Sequence, residues 1–201
     1  MELVLVRHAL PVRIDATHDG GPADPELAEL GRQQAQRVVE ALLDDEITHL
    51  YSSPARRALE TAAPLVDKLG LPLEVEPGLA EFDVDHPSYV PVEELRAAND
   101  PRWHALVRGD LMHADLDPIA FRAQVVAAVE AIAERHPGGR AVLFTHSGSI
   151  NAYTGHVARQ ERPLWFAPAY ASLTRVGAAR DGRRGLVSLN ETGHVRDLLT
   201  G

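Results

Sequence analysis

Cysteine is absent from the sequence. Its absence excludes disulfides, zinc–thiolate sites and a cysteine nucleophile, and it suits the reducing cytoplasm, where the chain is expected to work. No apolar run approaches the roughly 20 residues that a membrane helix needs. Basic residues are the minority, 20 Lys and Arg against 29 Asp and Glu, for a formal net charge of -9. An acidic chain repels nucleic acid and anionic lipid surfaces at long range, so neither is an expected partner. No basic stretch followed by an apolar core opens the chain, and no secretion signal is expected. No Gly-x-Gly-x-x-Gly turn follows the first apolar run, which argues against a nucleotide-binding dehydrogenase. Internal repeats and low-complexity tracts are also missing.

The 201 residues, 45% apolar and 24% charged, suffice for one core, and one domain over 1–201 is expected. Leu3 to Val6 reads as a buried strand, followed by a Pro- and Gly-rich loop from Leu10 to Pro25. From Glu26 the apolar positions take a helical period through Leu42, with Asp24 as the expected cap and Pro25 at the first helical position. Ile47 to Tyr51 reads as a second strand, and Ser53-Pro54 opens a helix that Gly70 stops, with Pro64 expected to kink it. Leu73 to Val75 is a third strand. Residues 79–118 carry Pro87, Pro91, Pro101 and short helical pieces, and read as an excursion over the sheet. An amphipathic helix over 119–135, a strand over 141–144, a helix from Ser147, and strands over 170–176 and 186–189 complete the chain. Strands alternating with helices predict a mostly parallel sheet with helices on both faces.

Two of those strands end in histidine, as Arg7-His8 and as Thr145-His146. In an open α/β sheet, ligands bind beyond the carboxyl ends of the strands. Were the two strands neighbours, both imidazoles would meet in one crevice, with the helix from Ser147 turning its free N–H groups toward it and Gly148 allowing a ligand close to the backbone. Arg56 and Arg57 open the helix after the second strand, where the helix dipole disfavours cations unless an anion lies between them. Arginine grips phosphate or carboxylate with two parallel bonds. Arg7, Arg57, two histidines and a helix N-terminus together describe a pocket for a tetrahedral dianion such as phosphoryl. Taken singly, each signal is ordinary: a strand-end histidine is usually structural, and an arginine at a helix start is usually a surface charge.

On these residues the chain resembles the histidine phosphatase superfamily, which includes phosphoglycerate mutases and many phosphatases. The opening Arg-His-Gly of that family is similar to Arg7-His8-Ala9. Its Ser-Ser-Pro element resembles the run from Ser52 to Ala62, which sets Arg57, not Arg56, as the phosphate-binding arginine. Its Leu-Thr-x-x-Gly-x-x-Gln-Ala helix start resembles Leu27 to Ala35, its Leu-x-Glu resembles Leu79-Ala80-Glu81, and its Ser-His-Gly-Gly resembles Thr145-His146-Ser147-Gly148. The resemblance implies a three-layer α/β/α sandwich, and a metal-independent, cofactor-free phosphatase acting on a small-molecule phosphomonoester through a phosphohistidine. It implies His8 as nucleophile, Glu81 as proton donor, Arg7, Arg57 and His146 on the phosphoryl oxygens, and Ser147 in the phosphate site. Asp83 and Asp85 are alternative donors.

Ala9 and Ser147 replace glycines of that pattern, Leu10-Pro11 replaces an acidic-Thr pair, and Ile14 stands where an Asn is usual. The longer acid motif of phosphoglycerate mutases is missing after Glu81, which puts a phosphatase ahead of a phosphomutase. A phospho-ligand binding protein without turnover is the third reading. His18 in the first loop is a candidate substrate contact. His86, His104 and His113 lack metal-site spacing, and His49, His136, His156, Asn190 and His194 read as structural or surface residues. Tyr89, Trp103, Trp165 and Phe166 are candidates for an apolar wall or for core.

Overall fold

Alternate side chains of the first strand serve opposite layers. The structure, a computed structural model, describes residues 1–17, 20–108 and 117–199; His18 and His113 lie outside the described residues. Strand β1 runs from Glu2 to Arg7, with Leu3 to Val6 fully buried. Val4 and Val6 pack into one apolar layer with Val38, Leu42, Leu65 and Phe144. Leu3 and Leu5 pack into the other with Val125, Val129, Leu143 and Tyr153. A strand covered on both faces carries apolar residues at every position, so its sequence shows no polar alternation.

The remaining strands are β2 (His49–Ser52), β3 (Leu73–Val75), β4 (Arg140–Thr145), β5 (Leu173–Ala178) and β6 (Arg184–Glu191). They form one six-stranded sheet in the order β3-β2-β4-β1-β5-β6. The first four of that order run parallel, while β5 pairs antiparallel with both β1 and β6. Helices α1 (Glu29–Leu42) and α2 (Arg56–Leu69) cover one face. The short α3 (Val92–Ala97) and α4 (Pro101–Arg108) belong to the excursion, and α5 (Pro118–Arg135) and α6 (Ser147–Ala158) cover the other face. This is the expected three-layer α/β/α sandwich. Arg7 lies opposite Thr145 in the parallel register of β1 and β4, so His8 and His146 leave neighbouring strands side by side.

Helix starts depart from the sequence reading. Helix α1 begins at Glu29, not Glu26, and no side chain caps it. The segment before it is held by other partners: Ala23 N donates to His86 O, Leu27 N to Glu60 Oε2 and Ala28 N to Leu10 O. Asp24 caps a different helix, its Oδ1 accepting from Arg56 N of α2 at 2.8 Å. Ser53 Oγ instead accepts from Ala55 N, just outside α2, and Pro64 sits within α2 without ending it. Gly31 is required by packing, because a Cβ there would strike the Leu10 carbonyl.

The excursion is tied down by backbone. Ile14 and Tyr89 exchange hydrogen bonds, 2.9 Å from Ile14 N and 2.7 Å from Tyr89 N, and Thr17 N donates to Pro87 O. These bonds hold the chain before α3 and α4 beside the carboxyl ends of β1, β2 and β4. Among the described residues, no helix is long and apolar enough to cross a membrane.

Candidate active site

A cavity of about 330 Å³ opens where β1 and β4 end. Arg7, His8, Arg57, Glu81 and Ser147 line it, and Asp83 joins them. His146 is fully buried and outside the lining, with its ring centroid 5.1 Å from that of His8. Asp85 is exposed and does not reach the cavity. Arg56 is not part of the site either: it is about half exposed and pairs with Glu26 and Glu60. The anion that answers its charge at the helix start is a neighbouring carboxylate.

His8 is held in one tautomer. Its Nδ1 lies 2.8 Å from the Ala9 carbonyl, which can only accept, so Nδ1 carries the proton and Nε2 keeps its lone pair. Burial, then the charges of Arg57 and Arg7, hold the His8 pKa well below the usual imidazole range. The backbone that follows is braced by motif residues. Thr61 Oγ1 accepts from Ala9 N and donates to Arg57 O, and Gln34 Oε1 accepts from Leu10 N. Neither Ala9 nor Ser147 adopts a positive φ, so neither side chain strains the backbone at the positions where the family has glycine.

Both arginines are buried and backed by tyrosines. The Arg7 guanidinium carbon lies 3.7 Å from the centroid of the Tyr170 ring, and that of Arg57 lies 4.9 Å from the centroid of Tyr89. Arg7 Nη1 donates to Pro168 O at 2.7 Å, and Arg57 Nη2 donates to Asp83 Oδ1 at 3.3 Å. Arg7 Nε and Arg57 Nε are buried without a partner, as is His146 Nδ1. Unsatisfied buried donors are costly, and both belong to side chains that line the cavity. Tyr170 read only as the start of a strand in the sequence. No local signal marks it, because its role depends on a guanidinium from a strand 163 positions earlier. Asn190 and His194 support that segment, as Ala169 N donates to Asn190 Oδ1 and His194 Nε2 lies 2.9 Å from Ala171 O.

Glu81 meets the N-terminus of α6. Gly148 N donates to Glu81 Oε2 at 2.8 Å and Phe82 N to Oε1 at 3.2 Å. A Cβ on Gly148 would collide with the Glu81 carboxyl and the Phe82 ring, so the glycine makes room for this carboxyl, and it also lines the cavity. Burial, then the Asp83 charge, pushes Glu81 up to about 7, against the pull of its two N–H donors and of Arg57. His146 Nε2 lies 2.7 Å from Ser53 Oγ, and burial followed by Arg57, His8 and Arg7 keeps that imidazole neutral. Among the described residues, no group of three or more His, Asp or Glu is arranged to hold a metal ion.

Comparison with known proteins identifies the family and the fold. The sequence profile of the histidine phosphatase superfamily (branch 1) matches residues 3–192. Over 161 residues the chain is 32% identical to phosphoglycerate mutase-like protein 4 of Arabidopsis thaliana, covering 75% of this chain and 68% of that one. It is 28% identical to a probable phosphoglycerate mutase of Yersinia pestis, covering 82% and 80%. A mycobacterial glucosyl-3-phosphoglycerate phosphatase solved with inorganic phosphate superposes with a TM-score of 0.76 at 26% identity, covering 96% of this chain and 99% of that one. A phosphoserine phosphatase of Entamoeba histolytica shares the fold, with a TM-score of 0.72 at 20% identity over 96% and 98% of the two chains. With its profile matched along nearly all of its length, the chain belongs to the histidine phosphatase superfamily.

Proposed function

We propose that the protein is a phosphatase that hydrolyses small-molecule phosphomonoesters through a phosphohistidine on His8. The observation that carries this reading is the His8 tautomer: Nδ1 is committed to the Ala9 carbonyl, so Nε2 is the nucleophile, unprotonated in a buried cationic crevice. In the first step the Nε2 lone pair attacks phosphorus and the ester P–O bond breaks. Protonated Glu81 gives its proton to the leaving alkoxide. In the second step water attacks phosphorus, Glu81 takes a proton from it, the P–N bond breaks and phosphate leaves. Arg7 and Arg57 neutralise charge on the non-bridging oxygens, which is the task a divalent cation would otherwise perform. Ser53 Oγ, which accepts from Ala55 N, donates to His146 Nε2 in the tautomer that keeps the proton on Nδ1, and the neutral His146 ring packs behind His8. Ser147 bounds the same site.

The names of the curated relatives favour a second reading, transfer of the phosphoryl group to another hydroxyl. The missing acid motif after Glu81 argues against it. Incubation with a labelled phosphomonoester should trap an acid-labile, base-stable phosphoprotein. His8→Ala should abolish the trap and lower turnover by about 10³-fold or more, and a chelator should leave the rate unchanged. Full activity in His8→Ala would end the mechanism, and label passing to an added alcohol with little free phosphate would favour the mutase.

A further inference from the structure

We infer that the alcohol half of the ester is an apolar, preferably aromatic, group; this rests on the phosphatase reading of the same cavity. Beyond the arginines and His8, two walls shape the cavity. The excursion supplies Val92, Leu95, Trp103 and Leu106, and the segment between α6 and β5 supplies Trp165 and Phe166. Much of the second wall's backbone polarity is engaged internally. Trp165 N and Phe166 N both donate to Asn151 Oδ1, Phe166 O accepts from Asn151 Nδ2, and Pro168 O accepts from Arg7. The Trp165 indole N–H faces α6, since Nε1 lies 3.5 Å from where a Cβ on Gly155 would stand. Among the described residues, what these walls present is therefore mainly hydrocarbon and ring faces.

A sugar or glycerol hydroxyl brought there would lose water without regaining hydrogen bonds. A carboxylated alcohol fares worse, because Asp83 already lines the cavity and repels a second anion. Among the described residues, the further arginine of the lining, Arg162, is solvent-exposed, where an ion pair contributes little. An apolar ring instead trades water for contact with Trp103, Trp165 and Phe166.

The test compares benzyl phosphate with glycerol 3-phosphate and phosphoserine, all primary alkyl esters of similar intrinsic reactivity. Wild-type kcat/KM should be at least about tenfold higher for benzyl phosphate, the span that apolar contact gives in a specificity pocket. Trp103→Ala and Leu106→Asp should each shrink the benzyl-to-glycerol ratio severalfold. A ratio measured on one sample does not depend on how much of that sample folds. Equal or faster turnover of glycerol 3-phosphate or phosphoserine, in protein that still forms the His8 phosphoprotein, overturns the substrate class and leaves the phosphatase standing. Turnover of no ester, with no phosphoprotein, overturns both.

Discussion

Glu81 and Asp83 lie two positions apart, yet they have opposite partners. Asp83 pairs with Arg57, while Glu81 accepts only from backbone N–H groups and holds a proton up to about pH 7. As the acid of the proposed first step, Glu81 should give a kcat/KM that falls as pH rises through about 7. Asp83→Asn removes the charge that helps keep the proton on Glu81, so that limb should move to lower pH; a limb that stays put in the pH–rate profile would separate Asp83 from the proton. The same shift acts on stability. The unfolded carboxyl ionises near 4.5, before the folded one, so Glu81 subtracts stability increasingly from about pH 4.5 to about pH 7 and by a constant amount above. Glu81→Gln should therefore gain melting temperature relative to wild type at pH 8 and little at pH 5, and a gap equal at both pH values would show that the carboxyl is not raised. His8, Arg7, Arg57 and Glu81 were legible because each sits in a short run of fixed spacing. Tyr170 was not, and Tyr89 was read only as a candidate for the wall it forms, because the placing of a ring on a guanidinium is made by tertiary structure alone.

Elements were legible where period and length agreed. The runs from Leu3, Leu73 and Ala141 became strands, and the apolar stripe of 119–135 became α5, with Asp117 accepting from Ile119 N and Ala120 N. Helix starts were less so, because an Asp followed by Pro specifies a free helix end without saying whose. Asp24 shows why: the backbone on either side of it is engaged by the excursion and the first loop, and its carboxylate reaches the first N–H of α2, 32 residues away. A cap contributes about 1 kcal/mol. Asp24→Ala should then lower the melting temperature by about 2–4 °C with little change in the preference between esters. Because the lost bond belongs to α2, amide exchange in that helix's first turn should quicken while that of α1 does not. Quickening confined to α1 would restore Asp24 to the helix that follows it in sequence.

At the scale of the whole molecule, the proposed reading puts the phosphate end of the cavity at the sheet and much of the alcohol end on the excursion, so turnover should depend on how the two are joined. The parallel order and both helical layers follow from alternation of strand and helix in the sequence. The joint does not, since it is made of backbone bonds, the Ile14–Tyr89 bridge at its centre, with no side-chain pattern to announce it. An ion pair crosses the same boundary, Arg13 with Glu94 at 2.9 Å, but both side chains are nearly half exposed. Exposed pairs contribute roughly 0–1 kcal/mol, whereas the bridge fixes Tyr89, whose ring backs Arg57. Arg13→Ala should therefore keep benzyl phosphate turnover within about twofold of wild type. Ile14→Pro removes the N–H that meets the Tyr89 carbonyl and should lower kcat/KM by about tenfold or more, the cost of a small misplacement at the chemistry. A melting temperature within a few degrees of wild type would place that loss at the site and not in the fold. Near-normal turnover in Ile14→Pro, or an equal loss in Arg13→Ala, would mean that charge and not backbone holds the two ends of the cavity together.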